Sequence, residues 1–170
     1  MNKKTIRLQR FGAVAGMAAL LIGLQTSAAS ARGGYYFKNL NSQKTLEIGG
    51  WSTGNGASVN QWDLHGGANQ EWTAYSYTTG KWDYIKNINS GKCLEIGGWR
   101  TDNGAPANQW DCHGGANQQW ELYYISDYVM VIKNRNSGKC LEIAGGRKDN
   151  GAPARQWDCH GGLNQQWVME

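Results

Sequence analysis

Apolar and polar positions alternate over short runs in most of this chain, and past its first thirty residues they nowhere fall into a helical period. YIKNI and KCLEI are two such runs, separated by Asn89, Ser90 and Gly91, three residues that favour turns. A second turn cluster follows at TDNGAP, residues 101–106, and a third at HGGAN, residues 113–117. ANQWD lies between those two turns and QQWELYY follows the last. The pattern predicts four short strands and no helix. It also recurs. Tyr36, Tyr84 and Val131 open segments spaced 48 and 47 residues apart, each running 37 residues to a tryptophan: Trp72, Trp120 and Trp167. Aligned without a gap, the second and third segments differ at 7 of 37 positions and the first and second at 10 of 37. Three repeats are therefore expected, over about residues 35–77, 82–125 and 129–170, with twelve strands in all. Strands this short and polar cannot bury a face alone, so the three units must share one core. Closure around a threefold axis, as a barrel capped by hairpins, is the simplest solution. A three-bladed propeller is the alternative, although propellers typically begin at about four blades.

The first residues follow another rule. Lys3, Lys4, Arg7 and Arg10 precede an apolar run over residues 11–24, and Ala29, Ser30 and Ala31 follow. A basic start, an apolar stretch short for a membrane span and an A-x-A end are expected of a secretory signal peptide over residues 1–31; an uncleaved N-terminal anchor is the alternative. No cysteine lies near the expected cut, so no lipid anchor is expected. The domain would then be residues 32–170, outside the cytoplasm. Removing that segment changes the charge: 17 Lys and Arg less 4 leaves 13, against 13 Asp and Glu. A neutral domain lacks the basic field that nucleic acid or an anionic membrane needs, and neither is expected as a partner. No membrane insertion is expected, and a monomer is.

Cys93 and Cys112 are 19 residues apart, as are Cys140 and Cys159 at the matching positions of the third repeat. Four cysteines allow three pairings. The first repeat has Thr45 and Leu64 at the corresponding positions, so both members are missing together. That joint loss favours bridges within repeats, Cys93–Cys112 and Cys140–Cys159, in an oxidising compartment.

SGKCLEI, the following NG, QWDC and NQQW resemble, in sequence and spacing, the ricin-type lectin family, the β-trefoil carbohydrate-binding modules. Its Q-x-W signature occurs three times, ending at Trp72, Trp120 and Trp167, and the resemblance covers nearly the whole chain beyond residue 31. It implies an all-β fold, a β-trefoil of three four-stranded repeats about a pseudo-threefold axis, with up to three shallow sugar pockets and no catalysis. The residue types suit that task. A pyranose offers an apolar C–H face and an edge of hydroxyls, which need an aromatic platform beside planar acceptors and amides. By the resemblance the platforms are Trp62, Trp110 and Trp157. The hydroxyl readers are Glu47 with Asn69, Glu95 with Asn117 and Glu142 with Asn164, and Asn60 and Asn108 add an amide.

Other repeated residues are open to two readings. Gln70, Gln118 and Gln165 either touch sugar or brace the loop and the acidic residue. His65, His113 and His160 recur in one position, but each neighbour is a bridged cysteine or a leucine, so converging metal ligands are not expected. A hydrogen bond to sugar or to the loop is the expected role, with no metal and no cofactor. No serine nucleophile has a base at a spacing independent of the repeats, and a tripled active site in one small domain is not expected. Trp51 and Trp99 are either the rim of a pocket or a lid over the core. Two departures bear on function. The family commonly has Asp where this chain has Glu47, Glu95 and Glu142, so a reshaped pocket is expected. The third repeat has Gly146 and Arg155 where the others have Trp and Asn, so its pocket should be poorer for neutral sugars or tuned to a carboxylate. The expected function is a secreted, non-enzymatic lectin for neutral glycan or polysaccharide. A trefoil scaffold for protein contacts, such as a protease inhibitor, and an accessory module for a separate glycoside hydrolase are the alternatives.

Overall fold

A computed structural model describes residues 33–76 and 81–170; the expected signal peptide, residues 1–31, lies wholly outside them. Twelve strands are present: β1 (Phe37–Asn39), β2 (Thr45–Ile48), β3 (Val59–Trp62), β4 (Trp72–Tyr75), β5 (Asp83–Asn87), β6 (Cys93–Ile96), β7 (Ala107–Trp110), β8 (Gln119–Tyr124), β9 (Val129–Asn134), β10 (Cys140–Ile143), β11 (Ala154–Trp157) and β12 (Trp167–Met169). Among the described residues the helical segments between them are 3-10 turns of three residues. Six strands form a barrel in the order β1, β12, β9, β8, β5, β4. It closes where Tyr35 and Trp72 exchange backbone hydrogen bonds at 2.7 and 2.9 Å. The other six make the hairpins β2–β3, β6–β7 and β10–β11, which cap one end. This is the β-trefoil.

Trp72, Trp120 and Trp167 fill the barrel with Phe37, Ile85, Met130 and Ile132, all fully buried. Each indole would bury a lone N–H, and each meets the carbonyl of the leucine beside the acidic residue: Leu46 at 3.0 Å, Leu94 at 2.9 Å and Leu141 at 3.1 Å. The core thereby fixes the hairpin strand that carries Glu47, Glu95 or Glu142.

The threefold cap is sewn by the glutamine of each QWD. Gln61 Nε2 donates to the Arg147 and Asp149 carbonyls, Gln109 to Ser52 and Gly54, and Gln156 to Arg100 and Asp102, at 2.9–3.1 Å. Every repeat thus grips the turn of the one before it in cyclic order. These glutamines are fully buried, and the carbonyls they reach are what allow the strand to carry an amide inward. The bridges Cys93–Cys112 and Cys140–Cys159 are formed, with Cα atoms 5.2 and 5.1 Å apart. They tie the start of β6 and of β10 to the loops after β7 and β11.

Candidate functional site

In each hairpin the register sets the acidic residue opposite one position of the QWD strand: Glu47 faces Asn60, Glu95 faces Asn108 and Glu142 faces Arg155. Two pairs further along stands the platform tryptophan, Trp62 or Trp110, about two-fifths exposed, or Trp157, half-buried. Behind it the platform packs on a turn glycine of the neighbouring repeat: Trp62 on Gly151, Trp110 on Gly56 and Trp157 on Gly104. The following aspartate anchors the same turn, since Asp63, Asp111 and Asp158 accept from Asn150, Asn55 and Asn103. Lys44, Lys92 and Lys139 pair with those carboxylates from the other side. Hydrogen bonds first from the lysine and then from the asparagine hold each aspartate below the usual carboxylate range.

The HGGANQ loop brings the remaining residues in. Gln70, fully buried, accepts from the His65 backbone N–H at 2.9 Å and donates to the Asp63 carbonyl at 2.9 Å. Its amide also reaches Glu47 Oε2 at 3.3 Å, where His65 Nε2 and Asn69 Nδ2 converge at 3.3 Å each. Glu95 collects His113 at 3.4 Å, Asn117 at 3.3 Å and Gln118 at 3.0 Å; Glu142 collects His160 at 3.3 Å, Asn164 at 3.2 Å and Gln165 at 3.1 Å. The three glutamates are almost wholly buried. The methylene by which they exceed aspartate carries the carboxylate into this nest, one oxygen engaged three times. Gln70, Gln118 and Gln165 present no surface and act as braces. Asn60 and Asn108 lay their amide nitrogens against Gly49 and Gly97 on the opposite strand.

Trp51 and Trp99 belong to the rim. Trp51 lines a pocket of about 350 Å³ with Glu47, Gly50, Trp62, His65 and Asn69. It is 52% exposed, lies over Gly67 and sits 5.7 Å from the His65 ring; Trp99 repeats this on His113 at 5.8 Å. Both tryptophans hold φ at 57°, a left-handed backbone that disfavours any residue with a Cβ. In the third repeat the position is Gly146, at φ 63°. Sequence alternation is silent about backbone handedness, but a glycine at the same place in one copy was a usable signal of it. In the two repeats with tryptophan, Asn69 Oδ1 and Asn117 Oδ1 are buried without a hydrogen-bond partner; Asn164 Oδ1 is not.

The third pocket differs most. Arg155 Nε donates to Glu142 Oε1 at 2.9 Å, and its guanidinium lies 4.3 Å from the Trp157 ring centroid. Among the described residues, no group of three or more His, Cys, Asp and Glu side chains is placed to hold a metal.

Residues 33–167 match the model of the ricin-type β-trefoil lectin domain. Among solved structures, the designed threefold-symmetric protein ThreeFoil is 34% identical, with a TM-score of 0.77 over 80% of this chain and 97% of that one. An exo-β-1,3-galactanase from Clostridium thermocellum is 30% identical at TM-score 0.77; 80% of this chain matches 29% of the enzyme. A Macrolepiota procera ricin B-like lectin, solved with lactose, is 22% identical at TM-score 0.68, covering 80% of this chain and 94% of that one. Among curated proteins none matches. With three Q-x-W tryptophans in its barrel and one family model spanning its described residues, this chain belongs to the ricin-type β-trefoil lectin family.

Proposed function

We propose that the protein is a secreted, non-enzymatic lectin that binds neutral glycan or polysaccharide through the pockets of its first two repeats. The observation that carries this is the pair Trp51 and Trp99. A half-exposed tryptophan in left-handed backbone costs on the order of 1 kcal/mol, and a buried unpaired amide oxygen near it on the order of 1–3 kcal/mol. Features held against stability mark functional positions. Here they wall a cleft whose other side is Trp62 or Trp110, so a sugar ring meets indole on two sides. Glu47 or Glu95 stands at the back with Oε1 facing no donor among the described residues, suited to accept from a hydroxyl. Asn69, Asn117, His65 and His113 hold that carboxylate in place and line the cleft. The disulfides fit an extracellular site of action.

The test is a screen of the purified protein against neutral polysaccharides and a glycan array, with Trp62→Ala and Trp110→Ala alongside. Wild-type binding that falls at least tenfold in the double variant, with unchanged circular dichroism, is the expected result. Binding untouched by both substitutions would refute it.

A further inference from the structure

Arg155 occupies the register position that Asn60 and Asn108 hold in the other hairpins. Its guanidinium, a flat cation, covers the Trp157 face on which a pyranose would stack. It also takes the one carboxylate oxygen that the first two pockets leave to a ligand. Glu142 Oε2 receives His160, Asn164 and Gln165, and Oε1 receives Arg155. Glu47 and Glu95 receive the same three residue types on Oε2 and, among the described residues, no donor on Oε1. All three glutamates are nonetheless equally buried, at 2–4% exposure. Arginine is therefore not needed to keep the carboxylate inside.

We infer, on the reading of these pockets as sugar sites, that Arg155 is the internal occupant of the third pocket and leaves the protein bivalent for neutral sugars. A neutral pyranose reaching Trp157 must lift a cation from the ring and break a charge-assisted hydrogen bond to a carboxylate with little access to water. It gains little in return, because Gly146 leaves out the second aromatic wall. Uncharged hydroxyls cannot replace what Arg155 gives Glu142.

The first two repeats supply the design of the test, since Arg155→Asn with Gly146→Trp, and Ala144→Gly to clear the place where Gly49 and Gly97 receive the asparagine, rebuilds in the third what already folds in the others. Indole N–H signals of Trp62, Trp110 and Trp157 are followed by NMR while galactose, glucose, xylose, mannose, N-acetylglucosamine and galacturonate are titrated in turn. In the wild type, the Trp62 and Trp110 signals shift with at least one neutral sugar and Trp157 with none of the six. In the triple variant Trp157 joins them, with the same sugar. Without any ligand, the Arg155 Nε–H signal is distinct from that of free arginine and exchanges slowly. Three results overturn the inference: a neutral sugar shifting wild-type Trp157 as strongly as Trp110, a variant whose Trp157 stays silent while Trp110 responds, or an Arg155 Nε–H that exchanges freely. A Trp157 shift with galacturonate in the wild type also overturns it, making the pocket a site for acidic sugars. If no sugar moves Trp62 or Trp110, the lectin reading fails by itself, and the Arg155 signal alone decides whether the pocket is filled.

Discussion

Two tryptophans eleven residues apart, Trp51 and Trp62, wall the same cleft and answer to different physics. Trp62 rests on a hairpin strand in ordinary extended backbone, whereas Trp51 sits in a conformation that glycine adopts freely. Replacing Trp51 by glycine, as the third repeat does naturally, should leave the melting temperature unchanged or raise it. The relief of backbone strain, on the order of 1 kcal/mol, opposes the loss of half-buried indole contact. Binding should fall at the same time. Thermal unfolding and a polysaccharide titration on Trp51→Gly and Trp99→Gly check both halves, and a large drop in stability would show these residues to be structural lids. Gln118 should behave in the opposite way. It is fully buried with both ends of its amide engaged, so Gln118→Ala strands the His113 N–H and the Asp111 carbonyl and should cost about 1–3 kcal/mol in chemical denaturation. At this scale the sequence was partly legible. Triplication marked the acidic residue, the QWD tryptophan and the HGGANQ loop, and the family resemblance supplied the roles expected of them. Whether Gln118 meets sugar or braces a carboxylate depends on burial, and alternation along a strand of such short length does not encode it.

The hairpins are the elements where the repeats meet, and their ionic contacts predict an acid limit. Asp63, Asp111 and Asp158 each carry a lowered pKa, from a lysine first and an asparagine second. A carboxylate whose folded pKa is lowered contributes stability that is complete above its unfolded value, roughly pH 4, and is lost as pH falls through the folded value. Stability should therefore be flat from neutrality towards pH 5 and decline below about pH 4. The triple replacement Lys44→Met, Lys92→Met, Lys139→Met should flatten that decline; an unchanged acid midpoint would detach it from these pairs. The bridges belong to the same hairpins. Their pairing was readable because the first repeat lacks both cysteines at once, and each closed loop should be worth about 3 kcal/mol. The first hairpin has the same register, Thr45 opposite Trp62 as Cys93 is opposite Trp110. Thr45→Cys with Leu64→Cys should consequently form a third bridge and raise the unfolding midpoint, as mass spectrometry and denaturant titration would show. Strand number and turn positions were legible for a related reason: turn residues punctuate every repeat at the same offsets. The cyclic grip of Gln61, Gln109 and Gln156 on the preceding turn was not, because it joins residues more than fifty positions apart.

Across the whole molecule, three copies of one unit have become two kinds of pocket. The first two repeats present paired indoles and an open carboxylate oxygen; the third presents Arg155 lying on Trp157. Related by the pseudo-threefold axis, the two open pockets face different directions and cannot both close on one short oligosaccharide. Each is a shallow cleft with few polar contacts, for which a dissociation constant near millimolar, about 4 kcal/mol, is the reasonable scale. On the proposed reading, two such sites on one rigid body would engage a long or surface-bound chain with an effective concentration set by ligand spacing, and avidity of about 10²–10⁴ would then be available without a new contact. The protein should therefore bind a repetitive polymer at least a hundredfold more tightly than its constituent monosaccharide. Removing either platform alone, by Trp62→Ala or Trp110→Ala, should take away nearly all of that advantage while the remaining pocket keeps its monosaccharide affinity. Trp157→Ala should leave both quantities unchanged. Immobilised polysaccharide in a surface-binding assay, set beside monosaccharide titration by NMR, measures the two affinities separately. Equal affinities for polymer and monomer, or single variants that keep the polymer advantage, would mean that the two pockets do not act together.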